Sequence, residues 1–169
     1  MTERTEAKRE LLRHFLAALA YRAQKALRGA PPAFASFDPG HGARPPKELV
    51  RHMTSVLGYA RTFFIGGSYR AETLDTMEAE VARFHGMIAE LATHIANGTP
   101  LRNISEEQLL HGPFADTMTH VGQLALLRRL AGVPVPPENF VFAEIGPDRL
   151  GPDQAEPVSP DSEWPDRLA

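Results

Sequence analysis

The sequence predicts an all-α fold, an up-down-up-down four-helix bundle with an extended C-terminal arm and tail. Three observations carry this. Apolar residues recur at intervals of three and four through four long segments, with no competing strand pattern. Each segment stops at a glycine: Gly29, Gly66, Gly98 and Gly132, the residue that most readily closes a helix. The connections are short, which favours antiparallel neighbours. A chain of 169 residues is long enough for one domain with a sizeable core.

The first helix is expected over about residues 6–28. Leu11, Leu12, Phe15, Leu16, Leu19 and Ala26 fall at helical spacing, and Pro31 and Pro32 prevent continuation. Residues 30–45 form a Gly/Pro loop with Phe34, Phe37, Asp38 and His41. The second helix starts near Pro46, with Glu48 behind it, and ends at Gly66-Gly67. On its wheel His52 shares an inward face with Leu49, Val56, Tyr59 and Phe63. The third helix has a heptad seam of Leu74, Met77, Val81, Phe84, Ile88, Leu91 and Ile95. His85 and His94 lie beside that seam and read, like His14, as structural or exposed.

Ser105-Glu106-Glu107-Gln108 is a capping box opening a short turn, interrupted by Gly112-Pro113. The fourth helix follows from Pro113 to Gly132. Residues 135–145, with Pro136, Pro137 and then Phe140-Val141-Phe142, read as an extended packing arm. From Gly146 to Ala169 the chain is Pro-rich and carries six acidic residues against Arg149 and Arg167. The expected division is therefore a bundle with its arm over 1–145 and a mobile acidic tail over 146–169, with Trp164 as the tail's one large apolar group.

Composition excludes several classes. A net charge of -3 with no basic block argues against nucleic acid. No cysteine is present, so disulfides, thiolate zinc sites and a cysteine nucleophile are excluded. No apolar run approaches a membrane span, and the charged N-terminus lacks the apolar segment of a signal peptide. A soluble cytoplasmic protein is expected. No phosphate loop, nucleophile elbow or dinucleotide fingerprint occurs.

The chemistry concentrates in the fourth helix. Asp116 and His120 are four residues apart, on one face, and Gln123 continues the stripe. Phe114, Met118, Val121, Leu124, Ala125, Leu126 and Leu130 occupy most other directions, so the helix is expected to be buried nearly all round. A buried Asp116 then requires a cation or hydrogen-bond donors; Arg51 and Arg128 are protein candidates. In an up-down-up-down bundle the second and fourth helices run the same way. His52, Asp116 and His120 then meet at matched depth near one mouth. Two imidazoles and a carboxylate are a ligand set for Zn, Ni, Fe or Mn, and the plain alternative is a hydrogen-bonded core cluster. His41 reads as a solvated loop residue and His111 as a cap or surface residue.

The stretches "RHMTSVLGYAR" from Arg51 and "DTMTHVGQLALLRRLAG" from Asp116 resemble the DinB/YfiT-like superfamily of metalloenzymes, over roughly residues 11–145. The resemblance implies a four-helix bundle with a metal held by one histidine of the second helix and an H-x-x-x-H pair of the fourth. His52 and His120 match; Asp116 stands where the family has the other histidine, which makes the site harder. Gln123 would be a supporting residue behind the ligands. Implied functions are a metal-dependent hydrolase or thiol-dependent transferase, active on a small molecule and paired as a homodimer. The alternative is a non-catalytic ligand-binding or dimeric structural bundle.

Overall fold

The computed structural model describes residues 3–159. The chain is helical, and no strand occurs among the described residues. Helix α1 spans Glu3–Leu27, α2 Pro46–Ile65, α3 Met77–Ala96, α4 Glu106–Leu109 and α5 Ala115–Leu130. A 3-10 turn, Pro32–Ser36, seats Phe34 in the core. A single wide turn, Leu110–Phe114, joins α4 to α5 across a kink at Gly112. The helix ends fall where glycine, proline and the Ser105 capping box put them. The third helix begins at Met77 behind the Thr76 cap, so Leu74 precedes it.

The core is built from Leu12, Leu16, Leu19 and Ala23 of α1, Leu49, Met53 and Leu57 of α2, Phe84, Ile88 and Leu91 of α3, and Val121, Leu124 and Leu127 of α5. Helix α1 packs against α3 and α5, and α2 also packs against α3 and α5. Directions follow from the contacts. Arg9, near the start of α1, donates to Thr99 O at 3.0 Å, just past the end of α3, so α1 and α3 are antiparallel. Arg128, near the end of α5, donates to Ala26 O and Arg28 O at the end of α1, so those two helices are parallel. Lys47 at the start of α2 donates to Asp75 O, and Phe64 at its end stacks on His94, so α2 runs with α3. The order is up-down-down-up. This corrects the up-down-up-down expectation, and α2 and α5 are antiparallel.

The cause is the connection over 66–76. Gly66 and Gly67 both adopt positive φ, 81° and 79°, a conformation open to residues without a Cβ, and they reverse the chain. It then climbs back along α2. Ala71 N donates to Ser55 Oγ, Arg51 to Thr73 Oγ1, and Lys47 to the Leu74 and Asp75 carbonyls. Gly58 is the space for this path, because a Cβ there would overlap the Tyr69 ring. Parallel neighbours need a connection of this length.

Residues 146–159, where a free tail is expected, lie against the bundle. Leu150 packs against the core. Its carbonyl lies 2.8 Å from His85 Nδ1. Arg28 donates to Gln154 O and Ala155 O and pairs with Glu156. The arm is also pinned: Tyr21 OH donates to Glu138 Oε1 at 2.5 Å, Lys25 pairs with Glu138 at 2.8 Å, and Arg22 lies over the Phe140 ring at 4.0 Å. Burial and the adjoining Glu138 carboxylate raise the Tyr21 phenol far above its ordinary range. Residues 160–169, including Trp164, lie outside the described residues.

Candidate functional site

Helices α2 and α5 face one another along part of their lengths. His52 is six residues past Pro46 and His120 five past Ala115, so each sits in the first half of its helix. Antiparallel helices still overlap there, because neither position is at an extreme end. The two rings meet edge to face with centroids 4.8 Å apart. His120 is buried at 9% exposure and His52 is half-buried.

Asp116 and His120 keep their one-turn spacing, with Oδ1 at 3.5 Å from Nε2. On the other side, His120 Nδ1 is 2.9 Å from Gln123 Oε1. A neutral imidazole has one proton. The Gln123 oxygen can only accept, so that proton sits on Nδ1. Nε2 then turns its lone pair towards a carboxylate oxygen. Asp116 is open to water on this side, and the gap between the two atoms is a place that a cation can occupy.

The surroundings differ from the expectation of a sealed core. Asp116 and Gln123 are exposed, as are Ala125, Leu126 and Leu130 of the same helix. The helix therefore buries one stripe, Thr117, His120, Val121, Leu124, Leu127 and Arg128, and presents apolar residues to solvent on the other. Tyr59, expected on the inward face of α2, is 56% exposed. Arg51 is engaged with Thr73 and Glu48. Arg128 is engaged with the Val133, Ala26 and Arg28 carbonyls. Neither pairs with Asp116. Burial pushes His52 below the ordinary imidazole range, aided by the charge of Arg44 and by His120 and opposed by Asp116. His41 is exposed on a positive-φ backbone, and His111 is exposed.

The three sequence-predicted residues thus form a chain of neighbours, Asp116 to His120 to His52, with Gln123 behind. They do not converge on one point. Among the described residues, no three His, Asp or Glu side chains are gathered into a group that could hold a metal ion. A groove of about 650 Å³ opens elsewhere, between the end of α1, the Pro32–Ser36 turn and the starts of α2 and α3, with Leu27, Phe34, Met77, Val81 and Pro152 in its wall. His85, which helical periodicity sets beside the seam, is buried. Its partner is a backbone carbonyl 65 positions away, which no local pattern signals. Among the described residues, no helix is long and apolar enough to cross a membrane. No family model, no curated protein and no solved structure matches this chain.

Proposed function

We propose that this chain is a divalent-metal protein of DinB-like type, with His52, His120 and Asp116 as the ligands of a Zn, Ni, Fe or Mn ion. The observation that carries the reading is the state of His120. Gln123 orients the ring from behind, as residues behind metal-binding histidines commonly do, and leaves the Nε2 lone pair beside the Asp116 carboxylate. His52, held neutral by burial, adds a second imidazole at the same level. The donor set fits a borderline transition ion. Asp116 is exposed, so its rotamer is free to adjust towards both rings. Such an ion would supply Lewis acidity for a hydrolase, or for a transferase using an external thiol. In this reading the protein works in the cytoplasm on a small molecule. It pairs as a homodimer that covers Val141 and Phe142, which are 84% and 60% exposed.

A second reading has its own observation. With His120 bonded to Gln123 and Asp116 open to water, the pair is satisfied without a metal, and among the described residues no three-ligand group stands assembled. The site is then a hydrogen-bonded cluster in a non-catalytic bundle. Elemental analysis separates the two. Purified protein is reconstituted with Zn, Ni, Mn and Fe(II) in turn, and bound metal is measured. One ion per chain in wild type, absent in His120→Ala, supports the metal reading. No stoichiometric uptake of any of the four leaves the cluster.

A further inference from the structure

The most tightly enclosed histidine lies away from the candidate site. His85 on α3 is 3% exposed. Its Nδ1 is 2.8 Å from the Leu150 carbonyl, so it must carry the ring proton and donate. Its Nε2 is buried with no hydrogen-bond partner. The ring therefore has a place for one proton and none for a second. An N–H created on Nε2 would be a buried, charged donor facing no acceptor, which is among the costlier arrangements in a protein interior.

What the single bond holds is the segment over 146–156. Leu150 packs on the core beside His85. Gln154 is buried and folds the segment back on itself through the Arg149 and Gly151 carbonyls. Arg28 grips Gln154 O, Ala155 O and Glu156. Pro152 forms part of the wall of the 650 Å³ groove. We propose that His85 is an acid-sensitive latch: a second proton on its ring releases the segment over 146–156 from α1 and α3 and opens the groove that Pro152 helps to wall.

The charged groups around the ring have other partners. On α1, Lys25 pairs with Glu138, and Arg28, just past its end, with the segment itself. On α3, Glu80 pairs with Arg83, and Glu90 with Arg61 of α2. Arg149 of the segment pairs with Glu144; Asp153 and Glu78 are exposed. Gln24 Oε1 on α1 and Gln154 Oε1 of the segment are buried without partners, and neither is bonded to the ring; Asp148 is exposed and Arg22 lies over the Phe140 ring. Among the described residues, no carboxylate pairs with His85 to support a charge. Burial holds the ring below the ordinary imidazole range, with the Leu150 carbonyl opposing only in part.

The direction of the effect follows. With the segment released the ring meets water and titrates near its ordinary value of about 6.5. Acid therefore favours the released form, by about tenfold per pH unit below that value until the attached ring itself protonates. The chain has no cysteine of its own, so the labelling rate of a single Leu150→Cys thiol in an otherwise wild-type chain, expressed as protection relative to a free thiol at pH 7.5 and 5.5, reads this. Wild type should lose about tenfold between the two. His85→Asn, which keeps a neutral donor at the Nδ1 position, should show no such loss. His85→Leu, with no donor, should be poorly protected at both pH values. The proposal is overturned if wild-type protection is the same at both, or if His85→Asn falls as wild type does. It is equally overturned if the segment opens only as rarely as the core amides of α3 exchange, since its release is then global unfolding. Should His85→Leu fail to fold, the wild-type and His85→Asn pair decides alone.

Discussion

His120 and His85 are both buried, at 9% and 3% exposure, yet their surroundings prepare them for opposite events. His120 has a hydrogen-bond acceptor behind Nδ1 and a carboxylate in front of Nε2. A metal ion arriving there finds a carboxylate beside it. His85 has one acceptor and one empty side. A positive charge arriving there finds nothing and costs the contact with Leu150. Depth of burial does not distinguish the two rings. The partner of the second nitrogen does.

The largest expected effect removes the contrast altogether. A chain ending at Ile145 loses the Leu150 packing, the His85 acceptor and the Arg28 partners. Its unfolding free energy, from denaturant midpoints, should fall by about 2–4 kcal/mol. His85 should then titrate near about 6.5 by NMR, like an exposed imidazole. A loss below about 0.5 kcal/mol would mean that the segment contributes little and that His85 is not sealed by it.

On the other side of the comparison, His120→Ala should abolish metal uptake while leaving the fold intact, and His52→Ala should weaken uptake by about a hundredfold or more. His41→Ala should change it little. Equal metal content in wild type and His120→Ala would dissolve the distinction between a cation site and a sealed ring. Gln123→Ala is a finer probe. Loss of an orienting partner commonly costs about 10–100-fold in affinity, and a titration calorimetry experiment giving unchanged affinity would detach Gln123 from the site.

The smallest effect is in stability against pH. His85 and His52 both have folded values depressed below the unfolded one. Each therefore contributes stability that is complete above about pH 6.5 and declines as pH falls below it. His85, the more buried, should carry most of this, at most about 1.4 kcal/mol per pH unit. Urea melts at pH 7.5 and 5.5 should show a loss in wild type that His85→Asn largely removes.

The sequence made the helices legible because glycine, proline and the Ser105-Gln108 box act locally. His52 and His120 were also legible, although by a partly mistaken route. The helical wheels turn both rings inward, but matched depth requires the second and fourth helices to run the same way, and they are antiparallel. They meet because each lies far enough from its helix end to face an antiparallel neighbour. The exposure of Asp116 was hidden by a helix that looks apolar all round, while Leu126 and Leu130 in fact face solvent. The docking of residues 146–159 was hidden more deeply. His85 and Arg28 grip main-chain carbonyls of that segment, and carbonyls belong to every residue, so composition carries no sign of them.

The return path over 66–76 has a consequence for how this chain can change in length. Surface connections usually accept extra residues at little entropic cost. Here Ala71, Thr73 and Asp75 meet Ser55, Arg51 and Lys47 in sequence, two residues of extended chain matching one turn of helix. One added residue between Tyr69 and Ala71 would put every later contact out of step and turn alternate side chains to the wrong side. The loop before α2 has no such running register, so its Gly40-His41-Gly42 tip should take an insertion that the path beside Gly58 would refuse.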